Sequence, residues 1–188
     1  EQQAHELPCN IRYAILLASR IFSLGQVMEF EYTWPNGDKI RYEQDLKELL
    51  FDDYHQSPTE EELNAKPFAV PYYPYGNTKN FTITLQSGKE VSYSLLTGKG
   101  ESMMMNTPVK TKNLELKARD LKLKVEDKWE TVQSFALFSP RDMAEIRKSV
   151  AENDPYYTGL IELEHPTKGY KAGFSIMGTP DFFYIAGY

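Results

Sequence analysis

The chain of 188 residues has the length of one domain, and a domain of that length can bury enough apolar surface to be stable without covalent cross-links. Its one cysteine excludes an intrachain disulfide. Its net charge of −6, from 27 acidic and 21 basic residues, argues against nonspecific binding to nucleic acid, which depends on Lys and Arg contacts to phosphate. The composition predicts a soluble single domain over residues 1–188.

The first predicted element is an amphipathic helix over residues 11–24. One stripe at helical spacing is apolar: Ile11, Ala14, Ile15, Ala18, Ile21 and Phe22. The opposite stripe is polar: Arg12, Ser19, Arg20 and Ser23. This spacing predicts that the apolar stripe packs on the core, and Gly25 follows as a helix-ending residue. The segment is shorter than the roughly 20 apolar residues of a spanning helix, so we expect no membrane-spanning segment.

A hairpin and two short helices are predicted next. Residues 27–34 and 39–42 alternate between apolar and polar side chains around Asn36-Gly37, which is the strongest short hairpin signal. A short helix is predicted over residues 44–53. Ser57-Pro58 then has the capping serine and first-turn proline that start a helix.

Residues 67–75, PFAVPYYPY, combine three prolines with four aromatic rings. A proline-stiffened segment loses little entropy when a partner docks, and tyrosine rings suit reversible contacts. We therefore expect a partner-binding surface, whose predicted residues are Phe68, Tyr72, Tyr73 and Tyr75 together with the acidic Asp52 and Asp53. Prolines also stiffen loops that cover a protein's own core, and this alternative stays open.

The middle of the chain favours strands. Residues 81–85 and 90–95 alternate around Ser87-Gly88 and predict a second hairpin. Residues 99–111 are expected to form a loop that acts as a hinge. Alternation then predicts strands over 114–118 and 121–125 and a buried strand over 131–138.

The last third begins with a helix signal and ends in strand signals. Ser139-Pro140 repeats the capping pattern, and the helix it starts is expected to end before Asp154-Pro155. Strands are predicted over 160–164, 170–177 and 182–185. Hairpins dominate the whole chain, so the predicted class is α+β: a largely antiparallel sheet with an N-terminal amphipathic helix and two or three further short helices.

Charge is distributed unevenly along the sequence. Residues 29–62 hold eleven acids and three bases, whereas residues 110–128 hold seven bases and four acids. Such asymmetry favours steered encounter with an oppositely charged partner, although runs of charge also occur on ordinary solvated faces.

The search for catalytic chemistry yields one weak metal candidate. It combines Asp52, Asp53 and His55 with Glu162, Glu164 and His165, but nothing in the spacing brings these two segments together. No nucleophile or phosphate-binding motif is present. Cys9 is expected to be a small buried hydrophobe beside the first helix.

These patterns predict a noncatalytic protein-binding module, such as an inhibitor or immunity-type protein, without a cofactor or metal. Its partner would be another protein rather than nucleic acid. Two alternatives stay open: a hydrolase that uses dispersed acids and histidines, and a carrier of a small apolar molecule or lipid. A chain that starts at Glu1 without methionine favours a periplasmic or secreted location, with a cytoplasmic one as the alternative.

Overall fold

The structure is a computed structural model and describes residues 2–50, 59, 61, 65, 80–108, 110–154, 157, 159–179 and 182–183. The α-helices in these residues include α1 (Gln2–Glu6), α2 (Cys9–Leu24), α3 (Gly98–Asn106), α4 (Leu114–Lys117) and α5 (Pro140–Asn153). The strands are β1 (Val27–Thr33), β2 (Lys39–Asp45), β3 (Asn80–Thr84), β4 (Glu90–Ser94), β5 (Lys122–Val125), β6 (Lys128–Thr131), β7 (Leu160–Glu164) and β8 (Lys171–Ser175). All pairings among them are antiparallel, so the predicted α+β class with an N-terminal helix is confirmed.

The chain divides into two compact units. Unit 1 comprises Glu1–Cys9 and Tyr75–Tyr156, and unit 2 comprises Asn10–Pro74 and Tyr157–Tyr188. Unit 1 has 13 acidic and 13 basic residues, while unit 2 has 14 acidic and 8 basic residues, so the whole net charge of −6 belongs to unit 2. Each unit has its own buried apolar cluster. The prediction of one domain over residues 1–188 stays a prediction.

Unit 2 is built on two hairpins. β1 pairs with β2 across Asn36-Gly37, where Gly37 adopts the left-handed φ of 87° that the turn requires, and β7 pairs with β8. Alternation turns the odd residues of β1 to solvent and buries Met28 and Phe30. Phe30 stacks on Phe174 of β8 with ring centroids 4.6 Å apart, and this contact joins the hairpins.

The helix predicted over residues 44–53 is wrong at its start. β2 continues through Asp45, whose carboxylate then caps a short 3₁₀ helix, Leu46–Leu49, by accepting from the Lys47 amide at 2.9 Å. The residues from 51 onward lie outside the described part, and so does the helix start at Ser57-Pro58.

Unit 1 contains the sheet β3-β4-β5-β6 and helix α5. The hairpin over β3 and β4 forms around Gly88, as predicted. Helix α5 begins as its sequence indicates, because Ser139 and Asp142 cap each other's backbone amides and Pro140 occupies the first turn. Its inner face shares a buried cluster with the sheet, where the Tyr93 hydroxyl lies 2.8 Å from Ser149 Oγ.

Three predicted elements of unit 1 are wrong. The expected hinge loop over 99–111 is largely helix α3, which Thr97 caps by accepting from the Gly100 amide. The strand predicted over 114–118 is helix α4, because a short apolar run fits either period. The strand predicted over 131–138 stops at Thr131, and Ser134 caps a 3₁₀ turn, Phe135–Leu137.

A buried ion pair joins the C-terminal ends of α4 and α5. Arg119 Nε donates to Asp154 Oδ2 at 2.8 Å, and each side chain is 4% exposed. The Leu96 amide donates to the same carboxylate oxygen at 2.7 Å. One carboxylate therefore serves two donors, so the neighbouring segments depend on its staying in place.

Candidate functional site

The partner-binding residues predicted from the sequence lie outside the described part of the chain. They are Phe68, Tyr72, Tyr73, Tyr75, Asp52 and Asp53. That surface stays a prediction, and the described residues offer two other candidates, both in unit 2.

The metal candidate gains no support from the half that is described. Glu162 and Glu164 point to solvent from β7, whereas His165, which follows them, is buried. Glu162 accepts from Lys171 Nζ at 2.6 Å. His55, Asp52 and Asp53 lie outside the described residues. Within the residues described, no group of three or more His, Cys, Asp or Glu side chains is placed to hold a metal ion.

Helix α2 exposes an apolar surface that the sequence assigned to the core. Phe22 is 92% exposed and Ile15 is 50% exposed, while Leu17 is fully buried and Arg20 is 4% exposed. The prediction that one stripe from Ile11 to Phe22 packs inward is therefore wrong at Ile15, Ala18 and Phe22. Apolar residues occur on more than one side of this helix, so periodicity alone does not choose the buried side.

The buried arginine explains how the helix tolerates this orientation. Arg20 Nη1 donates at 2.9 Å to the carbonyl of Gly25, just beyond the helix end. A cation near a helix C-terminus is stabilised by the carbonyls there. Burial lowers the pKa of Arg20, which marks the cost of removing the guanidinium from water.

The exposed side of α2 has no charged residue. We call it the α2 surface, and its members are Ile15, Leu16, Ala18, Ser19, Phe22 and Ser23. Exposed helix faces of soluble domains usually carry charges, and interface centres are depleted of them. The α2 surface thus has the composition of a contact surface.

The second candidate is an aromatic groove at one end of the two hairpins. Its volume is about 530 Å³, within the range of ligand-binding pockets. The lining residues are Tyr32, Trp34, Pro35, Asn36, Tyr170, Lys171 and Ala172. They come from the end of β1 with its turn and from the start of β8, so hairpin pairing positions both walls.

Trp34 is the fixed floor of the aromatic groove. Its indole Nε1 donates to the Tyr42 hydroxyl at 2.9 Å, and that hydroxyl donates to the Glu164 carbonyl at 3.1 Å. The Tyr32 ring meets it edge to face at 5.1 Å, and the Tyr170 ring lies 6.4 Å away. The hydrogen bonds hold the indole in one orientation before any ligand arrives.

A histidine lies behind Trp34. The Thr167 amide donates to His165 Nδ1 at 3.3 Å, so Nδ1 is an acceptor and Nε2 donates to Asp38 Oδ2 at 3.1 Å. Lys168 Nζ donates to the same oxygen at 2.6 Å. Hydrogen bonds from Lys168 and then from His165 and Asn36 lower the pKa of Asp38 to about 2.

We expect Asp38 to make unit 2 acid-sensitive. Because its folded-state pKa of about 2 lies below the unfolded value of about 4, its stabilising contribution is complete above that unfolded value and is lost as the pH falls through the folded one. Asp38→Asn should therefore flatten the dependence of melting temperature on pH in this window. NMR titration of the Asp38 carboxyl carbon gives the pKa directly, and Lys168→Met should raise it. An unchanged value in Lys168→Met would contradict this explanation.

Sequence reasoning missed both described candidates. Comparison of the chain with protein-family models, with curated proteins and with solved structures found no match. These comparisons therefore assign no activity to the protein. Among the helices of the described residues, none has both the length and the apolar character needed to cross a bilayer.

Proposed function

We propose that the protein is a noncatalytic protein-binding module, of the inhibitor or immunity type, that docks on its partner through the α2 surface. The observation that carries this proposal is the exposure of Phe22, which is 92% accessible within a helix face that has no charge. An aromatic side chain left in water at that level stabilises nothing in the free protein. It becomes useful when a partner covers it, and aromatic anchors contribute much of the binding energy at interfaces.

The charge of unit 2 supports a basic partner. All of the net charge of −6 belongs to this unit, and several of its acids point to solvent from β1 and β2. Glu29 lies directly opposite Glu43 in the register of this hairpin. Like charges at opposed positions cost stability in the free protein, and an oppositely charged partner relieves them while accelerating encounter.

The helix is poorly suited to a membrane surface. Interfacial helices carry Lys and Arg on the face opposite their apolar side chains. In α2, the basic residues are Arg12, which is half-buried, and Arg20, which is buried. The α2 surface is therefore better matched to a protein, and the aromatic segment over residues 67–75 remains a second proposed contact.

Photocrosslinking tests the α2 surface directly. A photoreactive amino acid replaces Ser19, an exposed member of the surface, and the protein is irradiated in cells of its source organism. The control carries the same group at Lys148, an exposed position of α5 in unit 1. We expect one discrete adduct from position 19 and none from position 148. Adding Phe22→Asp should abolish the adduct, because a carboxylate at an interface centre is costly to desolvate.

The outcomes separate the alternatives. Identical adduct patterns from positions 19 and 148, or an adduct that survives Phe22→Asp, would contradict docking through the α2 surface. Crosslinking to lipid in place of protein would do so as well. Mass spectrometry of the adduct identifies the partner.

A further inference from the structure

The geometry points to a further docking site: we propose that the aromatic groove binds a proline-rich segment of a protein partner, in the extended polyproline II conformation, with Lys or Arg beside the prolines. This inference rests on the proposed function, since the occupant belongs to a protein. It uses different residues, because the aromatic groove shares none with the α2 surface.

The lining determines which chemistry fits. Rings of Tyr32 and Tyr170, together with Pro35, form walls above the Trp34 floor of an open cleft. Grooves between aromatic rings accept the flat faces of prolines, and a polyproline II segment enters them at low entropic cost because it is already extended. The cleft volume of about 530 Å³ accommodates several residues of such a segment.

Two polar side chains of the lining, Asn36 and Lys171, already have partners. Asn36 Nδ2 donates to Asp38 at 2.9 Å, and the Asp38 amide donates back to Asn36 Oδ1 at 3.1 Å. Lys171 Nζ donates to Glu162 at 2.6 Å. A sugar needs several side chains that hydrogen-bond to its hydroxyls, and Asn36 and Lys171 already have partners within the protein. Proline needs few, because its nitrogen has no hydrogen to donate.

Charge selects the residues that flank the prolines. Lys171 lines the groove, so a small cation seated among the rings would meet a like charge there. Farther out, Glu162 and Glu164 are exposed on β7. Basic side chains on either side of a proline core would face these two carboxylates, while the prolines themselves contact the rings.

The test is an NMR titration of the whole chain. Its two tryptophans are Trp34 and Trp129. In a Trp129→Phe background, the remaining indole N–H resonance reports the floor of the aromatic groove. The probe is a synthetic oligoproline peptide with arginine at each end. One control peptide has glycine in place of each proline, and a second has glutamate at each end. We expect the Trp34 resonance to shift saturably with the first peptide and affinity to fall at least about tenfold with either control.

Substitutions at Tyr170 assign the site. Tyr170 is half exposed, so its truncation leaves the core intact. Tyr170→Ala should weaken binding at least about tenfold, whereas Tyr170→Phe, which keeps the ring, should stay within about twofold. Met105→Ala, at an exposed position of α3 in unit 1, is the matched control and should bind as the parent does.

Three results would overturn the inference. One is equal binding of the proline and glycine peptides, and another is no shift at Trp34 at saturating peptide. The third is sedimentation showing dimers that Tyr170→Ala dissociates, since a second copy would then occupy the groove. Phe22-dependent crosslinking at position 19 is measured separately. If it persists while the peptide fails to bind, the groove proposal alone is wrong.

Discussion

Replacing Arg119 with methionine is expected to destabilise unit 1 by about 3–5 kcal/mol, the cost of leaving one member of a buried ion pair without its partner. The Asp154 carboxylate is 4% exposed and would lose the guanidinium donor at 2.8 Å. Two further hydrogen bonds from Arg119 would also be lost. In these, Nη2 donates to the Asp154 carbonyl and Nη1 donates to the Glu115 carbonyl. Methionine restores much of the volume, so the loss is electrostatic rather than a cavity.

Equilibrium urea unfolding measures this effect, with hydrogen exchange of the Leu96 amide as a local probe. The amide donates to Asp154 Oδ2 at 2.7 Å, so its exchange should accelerate in Arg119→Met. The control is Lys148→Met, which removes an exposed ion pair with Glu152 and should cost about 0.5 kcal/mol or less. Equal losses in the two variants would show that burial does not set the strength of the pair.

The double variant Arg119→Met with Asp154→Leu separates charge from hydrogen bonding. Removing both charges should recover part of the loss, because apolar pairs often replace buried ion pairs without penalty. Recovery should be incomplete, since the Leu96 amide would then be buried without its acceptor, at a cost of about 1–3 kcal/mol. Full recovery would mean that the carboxylate contributes nothing beyond balancing Arg119.

Local signals in the sequence predicted the parts of the fold that depend on a few adjacent residues. Asn36-Gly37 specifies its turn through backbone conformation, and Ser139-Pro140 specifies the start of α5 through capping, so both predictions are confirmed. The strand prediction for residues 114–118 is wrong because five residues do not distinguish a period of two from a helical turn. The burial of Leu116 fits both.

The two described candidate sites could not be predicted because each depends on distant partners. The aromatic groove needs Tyr170 of the second hairpin beside Trp34 of the first, and no local sequence pattern predicts that these residues pack together. A weak signal is present, since Trp34-Pro35 adjoins the predicted Asn36-Gly37 turn and Tyr170 follows Gly169. The α2 surface was missed for another reason: the periodicity of the helix is compatible with burial of either side.

Leu17→Ala and Phe22→Ala form a matched pair that tests which side of α2 is buried. Leu17 is fully buried in the core cluster of unit 2, so its truncation should cost about 2–5 kcal/mol. Phe22 loses a larger side chain, but it is 92% exposed, and its truncation should stay within about 0.5 kcal/mol. Urea unfolding followed by Trp34 fluorescence, in the Trp129→Phe background, measures both values in unit 2.

The comparison also bears on function. If Phe22→Ala cost as much as Leu17→Ala, the ring would belong to the core, as the stripe predicted from the sequence requires, and the α2 surface would cease to be a candidate. If Phe22→Ala is instead neutral for folding, the fold itself gives no physical reason for an aromatic ring at this position. A stable variant that has also lost the crosslink at position 19 would then attribute the role of Phe22 to binding alone.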